Sequence, residues 1–488
     1  MLDRRHWWTA MLFLVSAILA VASLGAANAQ SAAERAVEAA KRYSGTTITI
    51  TSEAGLQSLD PLNFSGPMWE KLTGIKIKVI EIPINEMFTK TMQEHRARTG
   101  AYDALNVIPS WMPDLVQAGA LEQLDAYIDK YGYRPELQKI APTYRDNQMT
   151  VNGKIYGFPD DGDVLILYYR KDIFARADLR KEFEAKYGYA LAPPKSWKQF
   201  AGIGSFLTER LKNEGIYGAS LIRDPSLAQF MFQERFRVEG GQFFNANTMQ
   251  ATVNSPVGVK VFSEMRNENK FMPPGVEKFG FVENLAIFLD GKSAMTISWP
   301  PQGRFAAGYG VSEKALSWVP KSKVSGKVGY ALPPGGHPEL AVGFDLCVAS
   351  TSKNKEAAYL FIQWLNSEDI SVRRVQLPYT MRDPFRTSHY ISPEYLAKWP
   401  DAKDYLAALK AASETGLLDL SLIQTDKYEE ALRQGISRLW AGEDPKKILD
   451  DVASIWDAAT QAIGVDKQKL IYKSWAAKSG AYPKDVPK

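Results

Sequence analysis

A chain of 488 residues is too long for one ordinary core, which sets two or three domains as the expectation. A hydrophobic share of 45% with 23% charged residues is globular composition, excluding both a disordered chain and an integral membrane protein. The net charge of +4 forms no Lys/Arg stripe, so nucleic acid is not an expected partner.

Arg4 and Arg5 precede an apolar run from Trp7 to Leu24, and Ala27-Asn28-Ala29 supplies the small residues that a signal peptidase reads. Residues 1–29 therefore read as a cleaved signal peptide and imply export. An uncleaved anchor is the competing reading, since the run approaches the length of a membrane span, but Gly25 and the small-residue site follow it directly. The single cysteine, Cys347, lies in an apolar strand pattern, where it reads as a small buried hydrophobe and has no partner for an internal disulfide.

After an alanine-rich amphipathic segment at 31–43, alternating Ile48 and Ile50 predict a first strand. A short helix ending at Gly74, a second strand to Ile82, a helix carrying Phe88, Met92 and His95, and a third strand at 104–108 follow. Strand and helix alternating in this way is the pattern of a parallel α/β sheet. Ligands of such sheets gather beyond the carboxyl ends of the strands, which selects Glu53 and Trp111.

The stretch from Asn152 to Asp172 then shows a buried-strand pattern interrupted by Asp160, Asp161 and Asp163. Carboxylates between two apolar runs mark a hinge between two hydrophobic bodies. Asp163 is the ligand candidate here, with Asp161 a possible partner and Asp160 a turn residue. Ser196 and Gln199 form a capping box, and Ser255-Pro256 opens a further helix. Ser293 to Trp299 reads as a strand stopped by Pro300-Pro301, and 340–349 as a strand interrupted at Gly343-Phe344-Asp345, which suggests two more crossings.

Five segments in order, Asp103 to Trp111, Gly119 to Leu124, Tyr156 to Asp172, Lys292 to Ile297 and Ser352 to Ala358, resemble the family 1 extracellular solute-binding proteins, the carbohydrate-type receptors of bacterial ABC importers. The resemblance implies an α/β, two-lobed periplasmic-binding-protein fold of type II, with three hinge crossovers and a cleft between the lobes. It sets the crossings near Asp161–Val164, Ala294–Trp299 and Ala341–Phe344. It sets one lobe at 30–160 with 296–342 and the other at 161–295 with 343–488. Asp163 falls where the family's maltose receptor has a ligand-binding acidic residue, and the loop holding Tyr379 and Arg382 looks like one that faces the cleft.

A sugar offers apolar C–H faces, which pack on aromatic rings, and hydroxyls, which pair with carboxylates and guanidinium. Trp111, Trp299, Phe344 and Tyr379 are the ring candidates, and Glu53, Asp161, Asp163, Asp345 and Arg382 the polar ones. The expectation is a monomeric, non-enzymatic receptor for a sugar, oligosaccharide or polyol, delivering it to the permease in the inner membrane without cofactor or metal. The rival is a secreted glycoside hydrolase using two cleft carboxylates as acid and base. An EF-hand calcium site at 160–163 fails because the following residues are apolar.

Overall fold

The computed structural model describes residues 30–341 and 343–478, so the expected signal peptide lies outside the described residues. No helix among the described residues is long and apolar enough to cross a membrane. Two sheets organise the chain. Strand β1, Thr47–Glu53, turns Ile48 and Ile50 into the core and ends with Glu53 half-buried. β2, Lys76–Ile82, and β3, Ala104–Val107, lie parallel to it on either side. The helix Ser65–Thr73 that leads to β2 stops at Gly74, whose φ of 76° is left-handed and costs glycine little. β4, Gly157–Pro159, then closes this body's edge, and the chain leaves it through 160–165.

The second sheet begins with β5, Ile166–Arg170, and continues with β6, Ser220–Leu221, β7, Met295–Ser298, and β8, Val328–Ala331, in the order β8-β5-β7-β6. β9, Asp345–Val348, returns to the first sheet, whose order is β2-β1-β3-β9-β4. β9 is antiparallel to both neighbours, unlike the parallel ladders of β1. Helix Lys355–Asn366 packs on β9 and on the N-terminal helix Ala32–Ala40. After helix Glu368–Gln376, which also lies on the first body, the chain crosses once more, and helix Ala402–Glu414 packs on β8 and β5. The helices Thr425–Trp440 and Pro445–Ile463 complete the second body.

This topology corrects two expectations. Ser293 to Trp299 is not a crossing: β7 is a central strand, paired antiparallel to β5 and parallel to β6. Pro300-Pro301 starts the helix Pro301–Ala306, where proline's fixed φ is favourable, and so ends the strand without sending the chain to the other body. The assignment of 296–342 to the first lobe and of all of 343–488 to the second is therefore corrected at its strands. β7 and β8 belong with β5, whereas β9 and the helices 355–376 belong with β1. The observed crossings are 160–165, the approach to β9 through Gly343-Phe344, and a segment after Gln376 that contains Met381 to Pro384.

Gly162 marks how closely two crossings pass. A β-carbon there would overlap the carbonyl of Pro384 and crowd that of Asp383. Gly162→Ala is expected to destabilise the protein by about 1–3 kcal/mol through overpacking, measured as a shift in the denaturant midpoint.

Candidate functional site

Backbone hydrogen bonds tie the three crossings into one knot. The amides of Asp160 and Asp161 both donate to the carbonyl of Phe344, at 2.7 and 3.2 Å. Gly162 donates to the carbonyl of Asp383 at 3.1 Å, and the amide of Asp383 donates back to Oδ1 of Asp161 at 2.8 Å. Any change in lobe angle must therefore act on these residues. Met381 takes a left-handed φ of 52°, uncommon for a side chain with a Cβ and typical of strained functional loops.

Under the knot lies a buried ion-pair framework. Arg374 binds Asp60 Oδ2 through Nε at 3.0 Å and Nη2 at 2.5 Å, and Asp160 Oδ1 through Nη1 at 2.7 Å. Arg382 reaches Asp160 Oδ2 through Nε at 2.8 Å and donates to Gln57 and to the carbonyl of Thr380. Burial alone would raise the Asp160 carboxyl, but the two guanidiniums overcome it and hold the group below the usual range. Asp160 is thus a buried charge that locks the first body to the third crossing, not the turn residue its sequence suggests. Asp383 does not pair with its neighbour Arg382. It faces Arg304 at 3.1 Å, and Arg304 also donates to the Arg382 carbonyl at 2.8 Å.

Above the knot, between the lobes, is a cavity of about 70 Å³. Small-molecule pockets run from about 300 to 1,000 Å³, so a hexose-sized solute enters only if the lobes part. Glu53, Asp161, Asp163 and Asp383 supply its carboxyls. Trp299, Phe344, Phe281 and Met381 supply much of its apolar wall. Trp299 donates its indole N–H to the Ala341 carbonyl at 2.8 Å and meets Phe281 edge-on at 6.3 Å. That hydrogen bond fixes the ring against the second crossing.

The carboxyls resist ionisation. Burial, then repulsion from Asp161, Asp383 and Glu53, holds Asp163 well above the usual range, with only the Gly343 amide opposing. Burial raises Asp161 too, against Arg382, the Gln57 amide at 2.6 Å and the Asp383 amide. Asp383 is pushed up to about 7 by burial, although Arg304 opposes it. Glu53 is pushed up to about 8 by the crowding around it and by Asp161. Because Glu53 keeps part of its surface exposed, water screening tempers its shift.

Of the residues selected from sequence, Glu53, Asp161, Asp163, Trp299 and Phe344 come together on this wall. Four stand apart from it. Trp111 is buried edge-on against Phe88 at 5.6 Å. Arg382 is engaged in the framework below. Tyr379 lies half-buried in the turn Pro378–Thr380. Asp345 sits in β9, where burial and Asp160 push it up to about 8 and neither carboxyl oxygen has a hydrogen-bond partner among the described residues. Sequence reasoning missed Gln57, Phe281, Met381 and the site role of Asp383. Of these, Asp383 carried a signal only through its place in the loop expected to face the cleft, and the adjacent Arg382 masked its role.

A family model for bacterial extracellular solute-binding proteins matches residues 30–371. A mannitol-binding protein of Pseudomonas aeruginosa is 26% identical over 75% of this chain and 79% of its own length. A probable amino-acid ABC transporter periplasmic-binding protein of Sinorhizobium fredii is 25% identical over 80% of this chain and 83% of its own. The solved structure of an Agrobacterium vitis ABC transporter solute-binding protein with bound D-mannitol superposes with a TM-score of 0.68 at 22% identity, covering 86% of this chain and 99% of that one.

Proposed function

This chain belongs to the bacterial extracellular solute-binding proteins, and from that premise we propose that it is the receptor of an ABC importer for a sugar or polyol, held where the three crossings meet. The observation that carries the proposal is the cavity itself: rings of Trp299 and Phe344 beside the carboxyls of Asp161 and Asp163, with walls drawn from both lobes and all three crossings. Aromatic faces and carboxylate acceptors are what the two surfaces of a polyhydroxylated solute require. The mannitol-binding relative and the mannitol-bound neighbour support the same solute class.

Function follows from population shift. A solute touching both lobes binds only the closed form tightly, and that differential affinity supplies the free energy of closure. The closed surface is then what the permease partner recognises, with the chain acting as a periplasmic monomer and not as an enzyme. The test is a thermal-shift screen over mannitol, ribitol, glucose and maltose. A saturating ligand at 100-fold its Kd is expected to add about 2.7 kcal/mol. Turnover of a glycoside by the purified protein would overturn the receptor reading in favour of a hydrolase.

A further inference from the structure

The cavity wall carries acidic groups and no basic ones: four carboxyls line it. One oxygen from each of Asp161, Asp163 and Asp383 lies within 4.8 Å of the other two. Nearby arginines are already engaged: Arg374 and Arg382 with Asp60 and Asp160 outside the cavity wall, and Arg304 with Oδ1 of Asp383. Glu53, Asp161 and Asp163 therefore form no ion pair among the described residues. A separate observation points into the same space: Asp383 is fully buried, yet its Oδ2 has no hydrogen-bond partner among the described residues. A buried acceptor of that strength calls for a donor.

Resting on the solute-binding reading above, we infer that the solute carries a protonated amine, as an amino sugar or amino polyol does, and that its ammonium sits among Asp161, Asp163 and Asp383. An ammonium has three N–H donors in tetrahedral array, and hydrogen bonds of about 2.8 Å set its acceptors roughly 4.6 Å apart, the spacing these oxygens allow. A neutral polyol also hydrogen-bonds these carboxyls but brings no positive charge, whereas a bound ammonium favours their ionised form and pairs with it. A divalent cation fits the same oxygens, but calcium takes roughly six to eight oxygen ligands. Much of the remaining wall is carbon, from Trp299, Phe344, Phe281 and Met381. Those rings suit the C–H face and the cationic head of an organic ammonium.

Titration calorimetry on the full protein at neutral pH compares D-glucose with D-glucosamine and D-glucitol with D-glucamine. N-acetyl-D-glucosamine serves as the uncharged control, with ethanolamine and calcium chloride alone as further arms. In at least one pair the amine is expected to bind roughly tenfold or more tightly than its neutral partner, the acetylated sugar is expected to behave as neutral, and Asp163→Asn is expected to erase the preference. Neutral partners binding as tightly as amines would overturn the inference while leaving the sugar or polyol reading standing. Binding of ethanolamine without any sugar or polyol would sink that reading and keep the inference. Calcium binding without amine binding, or no amine binding at all, would overturn the inference.

Discussion

Arg374→Met is expected to destabilise the protein by about 3–5 kcal/mol, because it strands Asp60 in the core and strips Asp160 of one of its two guanidiniums. Arg374, Asp60 and Asp160 are each about 1% exposed or less, so water cannot take over the lost hydrogen bonds. Methionine fills much of the side-chain volume, which leaves the charge as the main change. Arg382 remains within 2.8 Å of Asp160 but only 3.9 Å from Asp60, so Asp60 loses most of its compensation. The deficit should be read from the denaturant midpoint, and it should narrow as pH falls through the carboxylate range, where a stranded Asp can take a proton instead. A loss below about 1 kcal/mol, the scale of an exposed pair, would mean that the framework is open to water.

What was legible in the sequence was what one strand or one turn encodes locally. The alternation of Ile48 and Ile50 announced β1, and the carboxylate of Asp163 inside an apolar run announced a polar site. Trp299 was legible because it ends a strand, and it does line the cavity. Pairing between distant strands was not legible. Nothing in the apolar run of β7 says whether its neighbours are β5 and β6 or β1 and β3, and the lobe division went wrong there. Asp383 was hidden differently. Beside Arg382 in sequence it looks self-satisfied, yet the left-handed Met381 helps turn the loop so that Arg382 meets Asp160 and Asp383 meets Arg304. Asp345 shows the reverse: a carboxylate adjoining a cavity residue, Phe344, that alternation along β9 takes away from the wall.

Asp163→Asn is expected to weaken solute binding by about 10- to 100-fold, the range for removing one partner of a buried hydrogen bond, while stabilising the unliganded protein at high pH. The sign follows from the direction of the shifts. Asp163 lies well above the usual range and Glu53 at about 8, so the folded protein holds protons that the unfolded chain has already released. Such groups contribute stability that is full below their unfolded values and lost as pH rises toward their folded ones. The melting temperature without ligand is therefore expected to fall between about pH 5 and about pH 8. Asp160, held low, has the opposite sign, but its contribution is lost only below the ordinary carboxylate range. Asparagine keeps the shape of Asp163 and cannot ionise, so the variant's curve should be flatter and its melting temperature at the alkaline end higher. A gain in stability with a loss of affinity is what a residue held in an unfavourable state for binding produces. If the variant loses both, Asp163 supports the hinge and does not meet the solute.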